Sequence, residues 1–297
     1  MVFIPGISQR KRKLERRKGG GGGGRGGGGS RGGSGGSGGG GRTSSISSGG
    51  TSRSSSSTAF GGGPQTTIPQ GQPFGGRMQG GGTRNDIYGN RGYGSGYPGS
   101  SGAGVGGLGF PYYYWPVVWG GAGLVGTGAY LHTHGEYGDT HNSSRPGGAL
   151  VTATFPSSTN GNSTFRIMSD NSTVVSLLAD ITSSCGSSIS SPSTITPTSY
   201  NDSGPPLPGQ AVQYYRASSI VLSLDSYNNS AVYSNDTNAP PSPLPSNADT
   251  TLLSCLNNTI GNSAPLVDGA YGLRWSSPSG FGLVALVWAI SRLVSQV

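Results

Sequence analysis

The sequence predicts two unlike parts: a long disordered Gly/Ser/Arg-rich N-terminal region, then a small α+β domain with one disulfide. Three observations carry this. Glycine supplies 58 of the 297 residues and is densest near the front of the chain, where it leaves no side chains to bury. Charge is lopsided, net +12 over residues 1–91 and −4 over the rest, for a total of +8. Both cysteines, Cys185 and Cys255, fall in the second part.

Taken in order, residues 1–103 read as a disordered basic arm. Nine of its Lys and Arg residues crowd between Arg10 and Arg31, and no helical or alternating apolar period follows. Residues 104–131 are an apolar Gly/aromatic segment. Within it, 110–131 (FPYYYWPVVWGGAGLVGTGAYL) is 22 residues long, enough to cross a hydrocarbon core of about 30 Å. Tyr and Trp near its start and Tyr130 near its end sit where interfacial aromatics belong. Seven Gly or Pro residues support the rival reading, a segment packed on the folded part. Residues 132–148 form a polar flank.

Residues 149–268 carry the periodic pieces of the α+β domain. Strands are expected over 149–155 and 164–168, joined by a turn containing Asn160-Gly161-Asn162. Ser172 is a cap for a helix over Val174, Leu178 and Ile181. A short helix is read at 210–216. A strand follows over 219–227, with Ile220, Leu222 and Leu224 on one face. Leu252, Leu253, Leu256 and Ile260 form a helical stripe, with Asp249 as cap and Gly261 as stop. Pairing Cys185 with Cys255 closes a loop of about 70 residues, worth roughly 4 kcal/mol on the chain-entropy model; two free buried thiols are the alternative. The tail, 269–297, ends in an apolar segment, 281–297, behind Ser276-Ser277-Pro278-Ser279-Gly280. That order suits a GPI signal, and a membrane-contacting amphipathic helix is its rival.

The compartment is read from Asn-x-Ser/Thr sequons at Asn142, Asn162, Asn171, Asn201, Asn228, Asn235 and Asn257, all in the cysteine-bearing part. They point to the secretory pathway and to a membrane or cell-surface location. Residues 1–18 hold no apolar signal core, which leaves three accounts. Residues 110–131 act as an uncleaved anchor with the basic arm in the cytosol, or the true start lies upstream, or nothing is secreted. The motifs NSSRPGG (142–148), QYYRASS (213–219) and DTTLLSCLNNTIGNSAPLVD (249–268), with the Gly-rich front, resemble an uncharacterised family of basidiomycete fungal proteins over about residues 85–268. That resemblance implies a secretory or membrane-anchored Gly/Ser-rich glycoprotein and carries over no catalytic residue.

His132, His134, Glu136, Asp139 and His141 form a compact set of imidazoles and carboxylates suited to Zn²⁺ or Cu²⁺; a polar flank is the plainer reading. Arg25-Gly-Gly and Arg31-Gly-Gly, beside the cluster at 10–18, resemble an RNA-binding arm with a nuclear address. Nucleic acid is therefore a partner only through residues 10–42. No Ser-His-Asp constellation can be drawn, since every histidine lies in the flank. The expectation is a non-enzymatic, membrane-associated or cell-surface glycoprotein without a cofactor. Its expected partners are a membrane and cell-wall or surface components. The alternative is an intracellular RNA-associated protein.

Overall fold

Strand structure begins well before the periodic sequence does. In the computed structural model, the described residues are 42–97, 100, 104–120, 134–234 and 239–268. Strands β1 (Thr43–Ser48) and β2 (Thr51–Ser56) form an antiparallel hairpin. Its two-residue turn is Gly49-Gly50, with φ of +59° and +75°, the left-handed conformations that a tight hairpin turn demands. Serine hydroxyls pair across it, Ser44 with Ser55 at 2.9 Å and Ser45 with Ser52 at 2.8 Å. A two-residue strand pair follows, β3 (Thr66–Thr67) with β4 (Met78–Gln79).

After the single turn α1 (His134–Tyr137), strands β5 (Leu150–Pro156) and β6 (Thr164–Asp170) pair in full antiparallel register and run directly into helix α2 (Asn171–Cys185). Strand β7 (Thr198–Ser199), the hairpin β8 (Ala211–Tyr215) and β9 (Ile220–Leu224), helix α3 (Thr250–Ser263) and β10 (Leu266–Val267) complete the order. The principal sheet is antiparallel, in the order β7-β5-β6-β9-β8.

Strand alternation divides this sheet into two faces. Phe155, Phe165, Ile167, Leu222 and Leu224 are fully buried and share the face that carries the helices, with Tyr215 Oη donating to Asn257 Oδ1 of α3 at 2.7 Å. The Cys185–Cys255 disulfide ties α2 to α3 on that side, with Cα atoms 5.9 Å apart. Tyr214 points to the other face, where Tyr93 and Trp119 stack against it at 5.7 and 6.4 Å. The residues expected to lie outside the domain therefore supply one of its layers.

Several expectations are corrected here. Residues 42–97, placed in a disordered arm, fold: Ile46, Ile68, Ile87, Tyr93 and Tyr97 are buried. Their few apolar side chains are spread along a segment that wraps the sheet, so no period shows. The segment 104–131 is not a membrane-spanning helix over its described part. Residues 104–120 contain no helix, and Phe110, Tyr112, Tyr113, Tyr114, Val117, Val118 and Trp119 are core residues. Among the described residues, no helix is long and apolar enough to cross a membrane. The flank 132–148 contributes buried Tyr137, Thr140 and Arg145, so the domain reaches back to residue 42 rather than starting at 149.

Within 149–268, the segment read as a helix at 210–216 is strand β8. Its residues hydrogen-bond on both edges, to β9 on one side and to the 87–90 segment on the other. Gly89 N–H donates to Tyr214 O at 2.9 Å, Tyr214 N–H to Asn90 O at 2.9 Å and Arg216 N–H to Ile87 O at 2.7 Å. This cover removes an exposed edge. The α2 cap is Asp170 rather than Ser172, while Asp249 caps α3 as expected. Gly261 lies inside α3, which runs on to Ser263. The basic residues of 1–41, part of the apolar segment (121–131), His132, Asn235 and the tail from 269 lie outside the described residues.

Candidate functional site

The polar centre of the domain forms where β6 becomes α2. Asp170 Oδ1 accepts the Thr173 N–H at 3.0 Å, the bond of an N-cap. Its Oδ2 accepts from Arg216 Nη2 at 2.8 Å and from Thr173 Oγ1 at 2.8 Å. Arg216 is fully buried and has further partners: its Nη1 donates to Pro265 O and its Nε to Ser219 Oγ, each at 2.8 Å. Its guanidinium lies 3.4 Å from the ring centroid of Tyr114, a stacking that arginine's planar group favours. A Cβ at Gly147, whose φ is +88°, would collide with Asp170 Oδ1, so glycine at the end of NSSRPGG is what lets that loop approach the carboxylate.

Arg216 opens the turn between β8 and β9, in which Arg216, Ala217 and Ser218 all take positive φ (49°, 49° and 59°). Consecutive left-handed non-glycine residues cost roughly 1–2 kcal/mol each, so the turn depends on its surroundings. Gly94 N–H donates to Ser218 Oγ at 2.9 Å, Ser218 Oγ donates to Ser95 O at 3.2 Å and Val117 N–H donates to Ser218 O at 2.9 Å.

Arg53, Arg77, Arg84 and Arg91 of the front half are half-buried against the fold. Arg84 donates to Ala264 O at 2.7 Å and Gly261 O at 3.2 Å, at the C-terminal end of α3, and to Ser57 O and Ala59 O; a cation suits a helix C-terminus. Arg91 reaches Ser242 O at 3.0 Å, Arg53 sits 4.2 Å from the Tyr113 centroid, and Arg77 pairs with Glu136. Four of the basic residues assigned to a disordered arm thus act as clamps on the fold.

Of the residues read as metal ligands, His132 lies outside the described residues, and Glu136, Asp139 and His141 have other partners. Glu136 is held by Arg77 and by the Gly107 N–H at 2.8 Å. Asp139 and His141 bond each other on the surface at 3.0 Å, and His134 opens the α1 turn. Among the described residues, no group of His, Cys, Asp and Glu is placed to hold an ion.

Of the sequons, Asn162, Asn171, Asn201 and Asn228 are exposed, while Asn142 and Asn257 are half-buried. Asn142 and Asn201 each accept from the backbone N–H two residues on, at 2.9 and 3.0 Å. Asn257 differs. It lies in the middle of α3 with its side chain bonded to Tyr215; its sequon threonine, Thr259, is buried against Cys185, as Thr173 of the Asn171 sequon is against Asp170.

Burial also sets how the tyrosines titrate. Desolvation pushes Tyr114 and Tyr200 up to about 12 and raises Tyr97, Tyr112, Tyr137 and Tyr215 as well. A phenol raised in the folded state stabilises the fold fully below the unfolded value of about 10. That stability is lost as pH climbs through the folded value. Arg84 and Arg145, lowered to about 10 by burial, act in the opposite sense. The phenols outnumber them, so the net expectation is loss of stability between about pH 10 and 12. Phenolate absorbance should rise cooperatively with the loss of near-UV circular dichroism. A smooth rise at about pH 10 with the fold intact would contradict the burial of these rings.

A cleft of about 550 Å³ lies between the β1–β2 turn and the loop leading into β5. Ser47, Gly50, Gln72 and Ser144 are among the residues on its walls, and Trp115 and Arg145 also line it. Sequence reasoning missed it because its two walls come from the supposed arm and the supposed flank. No family model, curated protein or solved structure matches the chain.

Proposed function

We propose that the chain is a non-enzymatic glycoprotein of the secretory pathway, displayed at a membrane or cell surface. The observation that carries this is the pairing of its two cysteines, Cys185 and Cys255, within a domain that presents sequon asparagines to solvent. Disulfides persist in oxidising compartments, and sequons are used there. The apolar segment 281–297 is the part of the chain that would attach it. The alternative, an RNA-associated protein, rests on the basic residues 10–42; the arginines of the folded part are engaged with carbonyls, rings and carboxylates.

The test is endoglycosidase treatment of the full chain, expressed in a eukaryotic secretory host, with and without membrane extraction. A mobility shift is expected, with glycans mapped to Asn162, Asn171, Asn201 and Asn228, and Asn257 bare because a glycan there would break the Tyr215 bond. An unshifted, freely soluble product overturns the reading.

A further inference from the structure

The cleft beside Trp115 combines features that a folded core has no need to place together. Its volume of about 550 Å³ falls within the range of small-molecule sites. Serine hydroxyls on both walls can each donate and accept, which suits a ligand carrying many hydroxyls of its own. Ile46, Ile68 and Trp115 add apolar surface, against which the C–H face of a ring can pack.

Arg145 is the one charged residue among those lining the cleft. It is 3% exposed, and its Nη atoms donate only to carbonyls, those of Tyr137, Trp115 and Pro116. Its Nε has no hydrogen-bond partner. Burial pushes its guanidinium down to about 10, with Tyr93 and the Asp170 carboxylate acting against that shift. Arg216, equally buried, has Asp170 in direct contact; Arg145 makes no ion pair among the described residues, and no carboxylate lines the cleft. A buried cation is costly unless an anion accompanies it.

We propose that this cleft binds a sugar acid of monosaccharide size, with its carboxylate against the Arg145 wall and its ring over Trp115. The hydroxyl walls select the polyol and the guanidinium selects the acid. The proposal stands apart from the glycoprotein reading, since a chain that carried no glycan would still bind.

Calorimetric titration of the full chain with D-glucuronate tests it, beside D-glucuronamide, its neutral isostere, and inorganic sulfate. Glucuronate is expected to bind about tenfold or more tightly than either, as a charge-assisted contact implies. Ser47→Trp, at an exposed strand position on the cleft wall, should abolish binding with the melting temperature unchanged. Failure of glucuronate to bind overturns the proposal. So does equal binding of the amide, which would leave the charge without a role. Equal binding of sulfate, a bare anion site, also overturns it, as does full binding by the Ser47→Trp protein.

Discussion

Asp170→Asn is expected to destabilise the protein by about 3–5 kcal/mol, because it leaves the Arg216 cation buried without its anion. Asparagine keeps the cap acceptor for Thr173 N–H, so the loss reports the charge rather than the helix start. Arg216 is 0% exposed and cannot turn to water for compensation. A domain of ordinary stability, about 5–15 kcal/mol, would be brought close to unfolding. Combining Asp170→Asn with Arg216→Met removes both charges and leaves an apolar chain beside Tyr114. The double variant should therefore be more stable than the sum of the two single losses predicts. Urea denaturation of the four proteins measures this. Additive losses, or a cost for Asp170→Asn below about 1 kcal/mol as at an exposed pair, would show that the ion pair is not the centre of the fold.

Removing the disulfide is expected to cost about 4 kcal/mol on the chain-entropy model, for a bridge between residues 70 apart in sequence. Cys185→Ala with Cys255→Ala is the cleaner change, since serine would place a hydroxyl at the buried Cys185 site. The effect should appear as a lower urea midpoint, with the slope altered only as far as the unfolded state expands. The helices themselves should persist, because the apolar faces of α2 and α3 still pack on β5, β6 and β8. A reduced wild-type protein with the midpoint of the oxidised one would mean that the bridge restrains nothing.

What could be read in advance follows a simple physical division. The β5–β6 hairpin, the two long helices and the Asp249 cap were legible because each shows its own local period or end signal. Strand β8 was misread: it is buried between β9 and the 87–90 segment, so QYY offers no alternation to detect. The β1–β2 hairpin was placed in the disordered arm, although its Gly49-Gly50 pair stands between two six-residue Ser/Thr-rich runs. With Ile46 as its single buried apolar residue, its strands are held by hydroxyl pairs and by β10, neither of which leaves a local pattern. The roles of Arg84, Arg145 and Arg216 were beyond reach for the same reason. A guanidinium that binds carbonyls far away in sequence looks, in the sequence, like any other positive charge.

The meeting of β2 with both β1 and β10 has a consequence for the ends of the domain. Thr43 and Leu266 both lie opposite Ser56, one on each side of it, so the chain enters and leaves within two strand spacings, about 10 Å. A short linker would span that gap and close the domain into a ring, which could be reopened at an exposed turn such as Gly161-Asn162. In the natural order, the same closeness makes the domain a buckle: whatever holds the chain beyond Asp268 also fixes the point from which the basic segment before Arg42 departs.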